Sequence, residues 1–189
     1  LLIHSLTLII IAVTLIGIVI VGMLSIQTSS NDVMPKIIAI EEVSADYQQL
    51  QNTLENYAND ISVAQPQTVT DEAIATATKY FKQIDENVEL LRKSMYSQLE
   101  ADTLNTFITL HQTIKDTSLS AIEMQDSIVV RSQGGKVIGA LNSIHMLDLY
   151  ANAEYEALQE HLQSQISTVI TVAVVGIILL IVIGSVFTF

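Results

Sequence analysis

No Asp, Glu, Lys or Arg occurs among residues 1–31 or among residues 161–189. All 28 formal charges, 8 basic and 20 acidic, lie between Asp32 and Glu160. A charged middle held between two uncharged apolar ends limits the folds open to this chain more than any other feature. The ends read "LLIHSLTLIIIAVTLIGIVIVGMLSI" and "ISTVITVAVVGIILLIVIGSVFTF". Each is about 24 residues long, roughly 36 Å as helix, against a hydrocarbon core of about 30 Å. In lipid the backbone must satisfy its own hydrogen bonds, which a helix does within one segment. The sequence therefore predicts transmembrane helices over residues 1–26 and 166–189, with membrane lipid as their partner. A cleaved signal peptide has a shorter apolar region, of about 7–15 residues, and a small-residue cleavage site. No clear site follows Ile26. His4, Ser5, Thr7 and Thr14 are mild polar interruptions, and hydroxyls in a helix bond back to its own carbonyls. The charge rule for orientation needs flanks beyond the spans; the chain starts at Leu rather than Met and ends on apolar residues, so it is expected to be a piece of a longer protein.

The middle, residues 27–165, is predicted to be helical from spacing alone. Ile40, Val43, Tyr47, Leu50, Leu54, Tyr57 and Ile61 step alternately by three and four, a heptad seam. Ile74, Ala77, Phe81, Ile84, Val88, Leu91 and Met95 repeat the pattern. A third run is Phe107, Leu110, Ile114, Thr117, Ala121, Met124 and Ile128. A fourth is Val137, Leu141, Ile144, Asp148, Ala151, Tyr155, Leu158 and Leu162. Asp148 is the exception on that seam. A rotation placing Leu147 and Ala151 inward would turn it out, which is the expected arrangement.

Breaks separate the runs. Pro66 stops a helix, with Thr70 expected to cap the next one. Ser97 offers a cap with Glu100 three residues on, the capping-box pattern. The pair Gly134–Gly135 is expected to turn the chain in the left-handed conformation. Pro35, after "SSND", is the place for a kink or a restart capped by Asn31 or Asp32. The predicted helices span about residues 33–64, 70–96, 99–132 and 136–165. The fold class is all-α: an antiparallel up-down-up-down four-helix bundle continuous with two transmembrane helices.

The chain carries no Gly-rich phosphate loop, no Cys and no HExxH pair. No enzyme, catalytic residue, cofactor or metal site is expected, and no nucleic-acid partner. His4, His111, His145 and His161 are scattered, and His111 is expected on a solvated face. The acidic stretches at 41–42 and 85–87 read the same way, as do Arg131 and Lys136 beside the glycines.

Two spans, the polar break with proline in "SSNDVMPK" and the glycine-marked turn in "RSQGGKVIGAL" carry a resemblance. The layout resembles the N-terminal sensor region of bacterial methyl-accepting chemotaxis proteins, a plan shared by sensor histidine kinases of the nitrate-sensing type. The resemblance implies a homodimer in the bacterial inner membrane, with the bundle in the periplasm or outside the cell. It implies a small-molecule ligand there and cytoplasmic signalling proteins as partners through further domains. Receptors of this kind bind ligands between the first and last bundle helices. Here that region holds Asn52, Glu55, Asn56 and Asn59 opposite Asn142, Ser143, His145 and Asp148. In the family's amino-acid receptors, arginines on the first helix grip the ligand carboxylate. This first helix has none, which argues against that geometry. The function implied is that of a transmembrane chemosensory receptor. The alternatives are a sensor histidine kinase input region and a non-signalling two-span tether or assembly protein.

Overall fold

The computed structural model describes residues 2–61, 66–95 and 97–186. Five helices account for nearly all of them: α1 (Leu2–Asp60), α2 (Pro66–Ser94), α3 (Gln98–Glu123), α4 (Ser127–Ser132) and α5 (Gly134–Val186). No strand occurs among the described residues. The chain divides into two compact units. One is formed by Val33–Ala153 and the other by the two ends, up to Asp32 and from Glu154 on.

The first unit is built on the seams. Ile40, Val43, Tyr47, Leu50, Leu54 and Tyr57 of α1 are all buried, as are Ala77, Phe81, Ile84, Val88 and Leu91 of α2. A fully buried Leu, Ile, Val or Phe contributes about 1.5–3 kcal/mol relative to exposure, so the seams supply most of the folding drive. Directions follow from the contacts. Lys36 meets Glu100 and Tyr47 meets His111, each 64 residues apart, and Tyr57 meets Ile122, 65 apart. A constant offset means that α1 and α3 run parallel. Between α1 and α2, Glu42 and Asp46 share a cleft with Asn87 and Gln83, while Thr53 and Asp60 share another with Thr76 and Val69. Numbers rise on one helix as they fall on the other, so these two run antiparallel. The same holds for α1 and α5, where Gln48 and Ile40 share a cleft with Ile144 and Asp148, and Leu54 and Asn59 share another with Val137 and Gly134.

Two seams are rotated from their expected phase. In α3 the buried set is Glu100, Leu104, Phe107, His111, Ile114, Ser118, Ala121 and Ile122, with Leu110 and Thr117 only partly buried. His111 and Ser118 thus hold places that apolarity alone assigns to their neighbours. Met124 and Ile128, expected on the seam, are 70% and 80% exposed. The helix ends at Glu123, and the phase is lost there. In α5 the buried set is Val137, Ala140, Ile144, Leu147 and Ala151. Asp148 is half-buried beside it and accepts from Asn152 Nδ2 at 2.9 Å, in line with the expected rotation.

The breaks also differ. Pro66 opens α2 instead of stopping a helix; at the first helical position its missing N–H has no partner to lose. Thr70 is not a cap. It lies inside α2, buried, with its hydroxyl 3.4 Å from that of Tyr57. Residues 62–65 of the intervening turn lie outside the described residues. The capping box at Ser97 is present in full: Ser97 Oγ accepts from Glu100 N–H, and Glu100 Oε2 accepts from Ser97 N–H at 3.0 Å. Pro35 does not restart α1, which is helical from Leu2 to Asp60. Buried Val33, Lys36, Ala39 and Ile40 hold the segment around it. The side chains of Asn31 and Asp32, the expected caps, lie outside the described residues.

The largest correction concerns the glycines. Neither Gly134 nor Gly135 has positive φ; they are the first two residues of α5. The left-handed residue is Gln125, with φ of 56°. Asp126 N–H bonds to Ala121 O at 2.8 Å and Gln125 N–H to Ile122 O at 3.0 Å, a Schellman closure with glutamine where glycine is usual. The Asp126 carboxylate then accepts from the backbone of Ile128 and Val129 and starts α4. One predicted helix over residues 99–132 is therefore two.

In the second unit the two chain ends lie against each other at Gly22. A methyl group there would meet Val169 Cγ2 at 3.6 Å. Among the described residues one helix, ending at Leu179, is long and apolar enough to cross a membrane, and its most apolar window is not buried at all. On α1 the described apolar stretch is Ala12–Gly22, shorter than a crossing. The backbone of the expected first span is helical from Leu2, while the side chains of residues 2–11 lie outside the described residues.

Candidate functional site

Three places in the Val33–Ala153 unit combine polar chemistry with packing. The first is a cleft of about 270 Å³ lined by Gln51, Leu54, Glu55, Asn59, Val130, Arg131, Gly134 and Val137. It exists because α4 and the start of α5 pack beside the last turns of α1. Arg131 Nη2 donates to Asn59 Oδ1 at 2.9 Å and to Ala58 O at 3.4 Å. Glu55 Oε1 accepts from Gln51 Nε2 at 2.9 Å. Leu54, Val130 and Val137 form the apolar wall, all buried. A guanidinium, a carboxylate and two amides around an apolar floor suit a small polar molecule, zwitterionic or neutral.

The expected ligand residues divide among separate places. Glu55 and Asn59 line this cleft. His145 and Asp148 line a different one, with Glu41, Ser44 and Gln48. Asn56 faces α2 beside Thr53, Asp60 and Glu72. Asn52 and Asn142 are exposed, and Ser143 is spent on its own helix, donating to Gly139 O. The eight residues therefore do not form one site. Arg131, expected to be a solvated cap, is instead a member of the cleft. Its position beside the only Gly pair was the available signal.

The second place is buried. His111 is 3% exposed and bridges three helices. Its Nδ1 lies 2.7 Å from Tyr47 Oη on α1, and its Nε2 lies 2.9 Å from Asp85 Oδ1 on α2. Phe107 stacks on the ring, and Phe81 and Tyr47 meet it edge-on. Asp85 Oδ2 also accepts from Lys115 Nζ at 2.7 Å. Burial lowers the His111 pKa, against the opposing pull of Asp85. Burial alone would raise Asp85, but the hydrogen bonds from Lys115 and His111 outweigh it and hold the carboxyl below its usual range. Burial and the nearby Asp85 charge push the Tyr47 hydroxyl upward, so it remains protonated. The expectation of a solvated face at His111 is thus corrected, and Asp85 is part of the same network. What draws the ring inward is a donor and an acceptor on two other helices, which no local pattern encodes.

The third place is the ion pair of Lys36 and Glu100, both buried, joining α1 to α3. The same Glu100 closes the capping box, so one side chain serves the helix start and the helix pair. Among the described residues no cluster of His, Asp and Glu is arranged to hold a metal ion. Neither the protein-family models, nor the curated proteins, nor the solved structures include a match to this chain.

Proposed function

We propose that the chain is the sensory part of a transmembrane receptor. In this reading Val33–Ala153 is an up-down-up-down four-helix bundle outside the cytoplasm. The two apolar ends cross the bacterial inner membrane, and signalling modules beyond them respond to the bundle. The observation that carries the reading is the extent of α5. It is one helix from Gly134, at the cleft, to Val186, and it includes an apolar stretch long enough for a membrane. A helix shared by a ligand cleft and a membrane crossing transmits a shift or rotation, because packed interfaces hold discrete arrangements. A ligand moves that equilibrium only by its differential affinity for the two states. In this reading a ligand competes with Asn59 for the Arg131 guanidinium, so the ligand-free and ligand-bound states differ in what it holds.

The test is a fusion of residues 1–186 to the kinase-controlling module of a chemoreceptor, reconstituted in lipid and screened against small zwitterionic and neutral polar metabolites. Dose-dependent kinase output from a compound that also raises the melting temperature of the chain supports the sensor reading. Binding or partner capture with constant output would replace it with the tether reading.

A further inference from the structure

Hydrogen-bond arithmetic at His111 leads past the cleft. An ionised Asp85 only accepts, so the Nε2 that faces it carries the proton. In the neutral ring Nδ1 is then bare and accepts from the Tyr47 hydroxyl. A proton added to the ring goes to Nδ1. That reverses the bond: Nδ1–H becomes a donor, and the Tyr47 hydroxyl has to accept and send its own hydrogen elsewhere. Tyr47 is fully buried, and the hydrogen bond described for its hydroxyl is the one to Nδ1, so protonation there takes away the acceptor it now donates to. Protonation therefore disfavours the present packing of α1 against α3 at Tyr47. Of the groups acting on the ring, Asp85 comes from α2 and Lys115 and Asp116 from α3, while α1 supplies Tyr47. To the same core α5 brings only apolar residues such as Ala140, Ile144 and Leu147.

We propose that protons are a stimulus for this sensor and that His111 is where they bind, uptake at Nδ1 releasing α1 from α3 at Tyr47. The proposal deepens the sensor reading and rests on it for its physiological meaning; the protonation step itself does not. Sign and window follow from the geometry and burial. With the folded-state pKa below the ordinary 6.5, the arrangement with His111 enclosed is favoured at neutral pH. It loses ground as pH falls below that value, toward an arrangement that opens the ring to water. The bond to Asp85 survives protonation and becomes a charge pair, so α2 and α3 stay together while α1 is freed.

The experiment uses the full chain in lipid nanodiscs. The sequence has no cysteine, so one chain carries a pair of spin labels, at Asn52→Cys on α1 and Asn105→Cys on α3, both exposed. Their distance is followed from about pH 8 to about pH 5, either side of the histidine range, together with the His111 ring by NMR. The expected result is a ring that titrates while helix content is unchanged, with a reversible distance change of about 1–2 Å, the size of known helix shifts. His111→Gln does not titrate and still offers an amide to Asp85; it should hold the distance constant. A ring that stays neutral until the helices melt would overturn the proposal. So would a ring that titrates without a distance change, or the same change in His111→Gln. If that variant does not fold, the wild-type ring and distance still decide. Failure of the sensor reading shows separately, as a fusion whose output ignores every stimulus while ring and distance respond to acid.

Discussion

At the scale of single residues, two positions have exchanged their usual tenants. Gln125 sits in the left-handed conformation that glycine adopts freely, while Gly134 and Gly135 sit in an ordinary helix with open space around their Cα atoms. A non-glycine residue there is disfavoured by about 1–2 kcal/mol. Gln125→Gly should therefore stabilise the chain by up to about 1 kcal/mol, read as a higher urea midpoint. Gly135→Ala should add a further ~0.5 kcal/mol by restricting the unfolded chain. Asp148→Ala removes only one hydrogen bond to exposed Asn152 and should leave stability within about 0.5 kcal/mol. The turn at Gln125 was not legible because nothing in "IEMQDS" marks a helix end except Asp126, whose capping role needs the turn to exist first. The glycine pair gave a false signal for the opposite reason: glycine permits a left-handed turn and does not require one.

Between helices, α1 and α3 are joined by three polar rungs: Lys36 with Glu100, Tyr47 with His111, and Tyr57 Oη with Ile122 O at 2.9 Å. The rungs recur about every three helical turns. Sliding one helix by a turn would strand all of them in the core, so they fix the register more firmly than apolar contacts do. Removing one partner of the buried ion pair leaves the other charge uncompensated. Lys36→Met alone should cost about 3–5 kcal/mol, while Lys36→Met with Glu100→Gln should recover much of the loss, in a double-mutant cycle. Stability against pH separates the other rung's groups. The folded-state pKa of Asp85 is depressed, so its contribution is present above the ordinary 3.8 and is lost as pH falls through the folded value. For His111 the unfolded chain binds the proton first, so stability falls as pH drops below 6.5 and levels off at the folded value. Denaturation of His111→Gln should lack that second decline.

The seams of α1 and α2 were readable because periodicity is local and apolarity is what packing selects. The phase of α3 was not. Leu110 and His111 compete for one place, and the winner is decided by Tyr47 and Asp85, tens of residues away. The same holds for Glu100, whose capping box was visible in "SQLE" while its pairing with Lys36 was not. Arg131 was missed because a charged residue beside a turn is usually solvated; only the approach of Asn59 and Ala58 draws it into a cleft.

For the whole molecule, the helical content of the described residues was legible, and so was the segregation of charge into the middle. Among the described residues one helix is long and apolar enough to cross a membrane. The absence of cysteine makes topology accessible. Asn52→Cys should react with an impermeant maleimide applied to spheroplasts, and a cysteine appended after Val186 should not. Coupling along α5 is tested most directly by inserting four glycines between Ser164 and Ser167 in the kinase fusion. Stimulus binding should persist while kinase output stops following it. Output that tracks the stimulus as before would contradict transmission along this helix.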